Sequence, residues 1–352
     1  MWNRFNLTFL VVLLAGVGGV LLFVLVVDPL GVSPISTFGT ENITYNNRRQ
    51  AVPQIVRSGR YDSFIVGSST TIGLDPEWVE FSFGGRVANA SIHGATPYEQ
   101  SRVVGLVVQQ QPKLLIHGLD ATWCAPIPNQ YHPWWPFPEW LYDDPRISDL
   151  GRLLNWHVIR LAIEKVQLTY GFRSPDVLAN GYETRLPKEA AWNAEQARKR
   201  LYASVSDPPA PGERPAGTGR MTEMPPDLSS FPAIALLRDS ARKIPGTTKH
   251  IVVFMPVHFA SLPPPGSDAY TRLEICKERF AEAVRGPNTH VIDFMRRTST
   301  TEDDSHFWDS LHVRDAVAKK LVEQINEATQ RQASSDDYDY RYLSGPSGSE
   351  RP

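Results

Sequence analysis

Tyr61-Asp62-Ser63-Phe64-Ile65-Val66-Gly67-Ser68-Ser69 is the stretch on which the fold turns. Its apolar part, Tyr61 to Val66, reads as a short strand, Gly67 closes it, and two serines follow directly. Downstream, Arg86 to Ala90 reads as a second strand, closed by Ser91-Ile92-His93-Gly94. Pro97 opens a helix that runs through Val108, with Val103, Val104, Val107 and Val108 forming its apolar face. Lys113 to His117 is a third strand. Strand, helix and strand at this spacing predict βαβ units and a parallel sheet. The same alternation returns late in the chain. Ile251 to Phe254 is a strand, Ala269–Val284 a helix, Val291 to Phe294 the last strand, and a final helix runs from about Val313 to before Ser334.

At 352 residues and 41% hydrophobic content the chain can bury a sizeable core, as one domain with extensions. A net charge of −2 without a basic stripe gives no footing for a nucleic-acid partner. Leu7 to Val27 is nearly uninterrupted apolar sequence, enough to span a bilayer as a helix. It is longer than the core of a cleaved signal peptide, has no small-residue cleavage site after it, and ends abruptly at Asp28-Pro29. The expectation is an uncleaved signal anchor. Arg4 before the helix and Asp28 after it place residues 1–6 in the cytoplasm and the bulk outside. Residues 28–60 read as a linker and lead-in, and 61–330 as the folded domain. An insertion at about 123–248 interrupts that domain, with helical stretches near 148–170 and 187–203 and a Pro/Gly-rich loop at 207–232. Residues 331–352 lack the apolar content to fold and are expected to be disordered.

A serine becomes a nucleophile when a base takes its proton and an acid orients that base. Ser68 and Ser69 supply the hydroxyls, and Phe307-Trp308-Asp309-Ser310-Leu311-His312 supplies an acid and a base three residues apart. Ligands of open α/β sheets bind at the carboxyl ends of strands, so all of these groups could share one rim. His93, His117 and His306 read first as packing or loop residues, whereas His258 is evenly balanced between packing and the cleft. Cys124 and Cys276 either pair in an oxidising compartment or are unrelated thiols, and their spacing leaves both open. Neither Cys-x-x-Cys nor His-Glu-x-x-His occurs, so no metal site is indicated. The aromatics Trp123, Tyr131, Trp134, Trp135, Phe137, Trp140 and Tyr142 either cover the core, stack on sugar rings, or meet a membrane interface or a partner.

Over residues 61–125 and 249–330 the chain resembles the SGNH/GDSL hydrolase superfamily, in particular its membrane-anchored DltD-like and alginate-O-acetylation-like branches. The resemblance rests on Gly67-Ser68-Ser69, Asn89-Ala90-Ser91-Ile92-His93-Gly94 and Asp309-x-x-His312. It implies a flavodoxin-like three-layer α/β sandwich with a mostly parallel sheet. Ser69 would be the nucleophile, with His312 and Asp309 completing a triad. The backbone N–H groups of Ser69 and Gly94 would form the oxyanion hole. Asn89, Asp120, Trp123 and His258 are candidates for substrate contact. The family's third block carries an asparagine that donates to the oxyanion, whereas this chain reads His117-Gly118-Leu119-Asp120. An ionised Asp120 accepts hydrogen bonds and would repel an oxyanion, so the hole would rest on backbone donors. The implied function is acyl transfer to, or removal from, a periplasmic cell-envelope glycan or acyl carrier. No cofactor is implied, and a membrane-bound O-acyltransferase is the implied partner. The contrasting expectation is a catalytically inactive glycan-binding or assembly factor on the same scaffold.

Overall fold

The computed structural model describes residues 2–39, 47–125, 129–144, 149–203, 231–334 and 339–345. The apolar N-terminal run lies in one helix, α1 (Trp2–Val27). Its 24 residues from Arg4 to Val27 make it long and apolar enough to cross a membrane. At 1.5 Å per residue that is about 36 Å, against roughly 30 Å of hydrocarbon. Most of α1 is exposed, but its last turn is not: Val24, Val27 and the following Leu30 are buried in the domain.

The chain continues through α2 (Arg48–Arg57), β1 (Ser63–Val66), α3 (Ser69–Ile72), α4 (Pro76–Phe83), β2 (Val87–Asn89), α5 (Pro97–Val108) and β3 (Leu114–Leu119). The middle carries α6 (Leu150–Leu153), α7 (Trp156–Thr169), α8 (Ala194–Leu201) and α9 (Ala233–Ala241). Alternation resumes with β4 (Lys249–Phe254), α10 (Asp268–Ala283), β5 (Thr289–Asp293), α11 (Ser299–Glu302), α12 (Asp315–Arg331) and β6 (Arg341–Ser344). The six strands form one sheet in the order β2-β1-β3-β4-β5-β6. The first five are mutually parallel, and β6 pairs antiparallel with β5.

Side chains alternate across a strand, and the strands are apolar on both faces because helices cover both. Phe64, Val66 and Leu115 pack into one cluster with α5 residues such as Val103 and Val107. Val252, Phe254 and Val291 join Leu273 and Phe280 of α10 in a second. The alternate residues Ile65, Ile116, Ile251, Val253 and Ile292 face the other way, onto Leu321, Val322 and Ile325 of α12.

Two sequence expectations change. The lead-in over 28–60 is not only a linker, because it contains α2, whose Arg48 and Arg49 are buried under the domain. The tail expected to be disordered from residue 331 contributes β6, and Tyr340 is fully buried. Arg341 docks that strand by pairing with Glu274 at 2.6 Å and with Asp293 at 3.2 Å, which its polar composition concealed. Within the insertion, α9 packs on α5 and α10. Most of the loop expected at 207–232 lies outside the described residues, which stop at 203 and resume at 231.

Cys124 and Cys276 form a disulfide, with Cα atoms 5.9 Å apart across 152 residues. The bond joins the short 3-10 turn Ala121–Cys124, just past β3, to α10. Closing so long a loop in the unfolded chain stabilises the fold by about 5 kcal/mol on the chain-entropy account.

Candidate active site

The site begins at the end of β1. Gly67 is required there because an added Cβ would collide with the Thr71 side chain and stand 2.9 Å from the Gly118 carbonyl. Thr71 is fully buried, its hydroxyl donates to the Ser68 carbonyl at 2.9 Å, and its Oγ1 lies 2.7 Å from Ser91 Oγ, where it can accept from the Ser91 hydroxyl. That ties the β1 turn to the loop after β2. Ser69 is the first residue of α3 and is partly exposed, whereas Ser68 caps the helix and is buried.

The structure brings Ser69, Asp309 and His312 together. His312 Nε2 lies 2.9 Å from Ser69 Oγ, and its Nδ1 lies 2.8 Å from Asp309. A carboxylate only accepts, so Nδ1–H donates to Asp309 and the lone pair on Nε2 accepts from the Ser69 hydroxyl. Asp309 also accepts from the backbone N–H groups of Leu311 and His312, at 2.8 and 3.0 Å. Burial alone would raise the Asp309 pKa. The hydrogen bond and charge of His312, with the two backbone donors, outweigh it and hold the carboxyl below its usual value. Ser68 is not in this relay, because its hydroxyl faces Thr70 Oγ1 at 3.3 Å.

Gly94 lies beside Ser69 on the cleft wall. Its φ of +59° is left-handed, and a Cβ would sit 2.8 Å from the His132 ring, so only glycine fits. The loop is held from behind by α2. Arg48 donates to the carbonyls of Ser91, Gly181 and Asn89, and Arg49 to those of His93 and Gly94. Both side chains are almost fully buried, and Arg49 pairs with buried Glu99 at 2.6 Å. These bonds hold the loop's carbonyls toward the guanidinium groups, and the N–H groups of Ser91, Ile92 and Ala95 are bonded to Asn89 Oδ1 and to the carbonyls of Gly67 and Ile92. Among the described residues, neither the Ser69 nor the Gly94 N–H has a backbone hydrogen-bond partner.

Of the other candidates, Asp120 lines the cleft. One of its oxygens is engaged by the Thr122 backbone and hydroxyl, as the cap of the following turn. Three expected contacts are corrected. Asn89 is fully buried and donates to the carbonyls of Thr71, Ile72 and Leu74, so it braces α3 instead of meeting substrate. Trp123 is also fully buried, edge-on to Phe280 and His117. His258 is buried between Tyr202 and Phe307 and bonds Asp304 at 3.1 Å, while its backbone N–H donates to Ser310. It supports the loop carrying Asp309 and His312 without reaching the cleft.

Space opens on both sides of Ser69. One chamber, of about 490 Å³, is lined by Trp135, Trp308, His93, Arg200 and Asp315. The other, of about 400 Å³, runs past Thr96, Asp120 and Asn129. Ser69, Gly94 and His132 border both. His132 stacks on Trp135, with ring centroids 4.2 Å apart, and its backbone N–H donates to Glu99. Burial and then the Arg49 charge lower the His132 pKa, which favours its neutral form. The aromatic stretch is thus divided. Trp123, Phe137 and Tyr142 are core, Trp135 lines the cleft, and Tyr131 and Trp134 are exposed.

Arg48, Arg49 and Glu183 carry no local signal in the sequence. Glu183 pairs with His93 at 2.9 Å and with Arg48 at 3.3 Å. No group of His, Cys, Asp and Glu suited to a metal ion occurs among the described residues. No family model matches the chain, and no curated protein matches it.

Proposed function

We propose that this chain is a membrane-anchored, extracytoplasmic serine acyltransferase or esterase of the SGNH type, acting on O-acyl groups of a cell-envelope glycan. The observation that carries this reading is the continuous hydrogen-bonded path from Ser69 through His312 to Asp309. The strand order β2-β1-β3-β4-β5 supports it, being the flavodoxin-like order in which sites gather at strand ends. The burial of Val24 and Val27 supports an anchor that stays attached, since cleavage would strip apolar surface from the core.

In the proposed reaction Ser69 Oγ attacks the acyl carbonyl carbon as His312 Nε2 takes the hydroxyl proton. The carbonyl π electrons move onto oxygen, facing the N–H groups of Ser69 and Gly94. Collapse expels the donor's oxygen, which leaves with the proton from His312, and an acyl-Ser69 ester remains. A sugar hydroxyl or water then repeats the sequence from the acceptor side, and Asp309 stabilises the imidazolium in both halves. Two chambers meeting at Ser69 suit a reaction with a separate donor and acceptor. Trp135 and Trp308 offer faces for a sugar ring in the larger one. One oxyanion-hole donor contributes on the order of 3 kcal/mol, so a hole of two backbone donors lacks a sizeable increment. That slows transfer and hydrolysis alike, since both pass through a tetrahedral oxyanion.

A fluorophosphonate probe tests the nucleophile. Labelling is expected in the wild type and in Ser68→Ala, and lost in Ser69→Ala. An unlabelled wild type, under conditions that label a known serine esterase, would point instead to an inactive glycan-binding or assembly factor.

A further inference from the structure

The α7 helix has two distinct faces. Val158, Leu161, Ala162, Lys165 and Leu168 are buried. Trp156, Arg160, Ile163, Gln167 and Tyr170 recur at helical spacing along the other side, and all are exposed. Trp156 is 74% exposed, Tyr170 66%, and Phe172, just past the helix, 82%. A soluble surface seldom leaves such large side chains clustered in water.

The position of α7 indicates what covers this stripe. Its buried face packs on the end of α1, where Val24, Val27 and Leu30 share a cluster with Val158, Leu161 and Ala162. Lys165 Nζ donates to the Asp28 carbonyl at 2.7 Å, which fixes the two elements at the residue where the apolar run stops. Ile35, a few residues beyond, is 49% exposed. The helix therefore sits where a membrane-crossing α1 leaves the bilayer. Trp and Tyr favour the headgroup level, apolar side chains enter the acyl boundary, and an arginine reaches phosphate. Arg160 is exposed, with a 3.5 Å contact to His157.

We propose that the exposed stripe of α7, with Phe172, lies in the interface of the membrane that α1 spans. Helix and stripe then form a two-point mount that holds the domain against the bilayer instead of letting it swing on a tether. The inference rests on α1 spanning the membrane.

The test uses the full chain in phosphatidylcholine–phosphatidylglycerol vesicles. Both native cysteines are bonded to each other, so nitroxides on Ile163→Cys, Phe172→Cys, Val12→Cys and Arg279→Cys report single positions. Arg279 lies on α10, and its side chain is 61% exposed. Collision with a water-soluble nickel chelate is expected to be at least about threefold lower at Ile163 and Phe172 than at Arg279, with oxygen collision raised, as for side chains in the acyl boundary. Nickel accessibility at both positions equal to that at Arg279, with Val12 protected, overturns the α7 proposal alone. Accessibility at Val12 as well overturns the span and the proposal together.

Discussion

At the carboxyl ends of β1 and β2, the buried polar groups Arg48, Arg49, Asn89 and Glu99 all have partners. Further along the sheet, His117 on β3 and His250 on β4 are equally buried, with ring centroids 6.4 Å apart. There neither ring nitrogen of His117, nor His250 Nε2, nor Trp123 Nε1 has a hydrogen-bond partner among the described residues. The first region spends polar groups on fixing backbone direction around Ser69 and Gly94. The second keeps two imidazoles neutral in an apolar setting, and burial pushes each pKa down to about 3. Around the site, buried charge is thus paired and fixes the backbone, whereas the Lys277–Asp293 pair, equally buried, braces β5.

Breaking the first region has the larger expected effect on stability. Arg49→Met leaves Glu99 buried without its cation, which costs about 3–5 kcal/mol. Urea unfolding should show that loss, and Arg49→Met combined with Glu99→Gln, which removes the unpaired charge but keeps an acceptor for the Thr96 or His132 N–H, should recover part of it. A loss below about 1 kcal/mol would mean that Glu99 is not held by Arg49 in solution.

The second region predicts a smaller effect tied to pH. With folded pKa values near 3 for His117 and His250, the unfolded chain binds protons below about pH 6.5 that the folded chain refuses. Stability is therefore greatest above that pH and falls as pH drops toward 3, by up to about 1.4 kcal/mol per pH unit for each histidine. His117→Leu should remove one such increment from the slope between pH 6 and 4 in urea unfolding, as about 1 kcal/mol per unit. An unchanged slope would mean that the ring takes a proton inside the fold.

The same comparison shows what was legible in the sequence. Gly67-Ser68-Ser69 and Asp309-x-x-His312 could be read because each is a short run next to its strand or loop. The βα alternation around them was readable from apolar runs of strand length. Arg48 and Arg49 could not be read, since adjacent arginines in a polar lead-in look like surface, and only tertiary packing turns them onto the 89–94 loop. Asn89, Trp123 and His258 have the right chemistry near the right strand ends, yet all three face inward. No local pattern distinguishes a strand-end residue that braces a turn from one that lines a cleft. The Cys124–Cys276 bond and β6 depend on contacts across 152 and about 50 residues respectively, which spacing does not encode.

We propose that Ser69 and His312 act as one unit. The most direct test is kcat/KM for p-nitrophenyl acetate in the wild type, Ser69→Ala, His312→Ala and the double variant, with melting temperature as the control. Each single substitution should cost at least about a thousandfold, and the double should cost no more than either single, because parts of one relay are not additive. Losses that multiply in the double variant, or a loss that follows Ser68→Ala instead, would contradict the assignment.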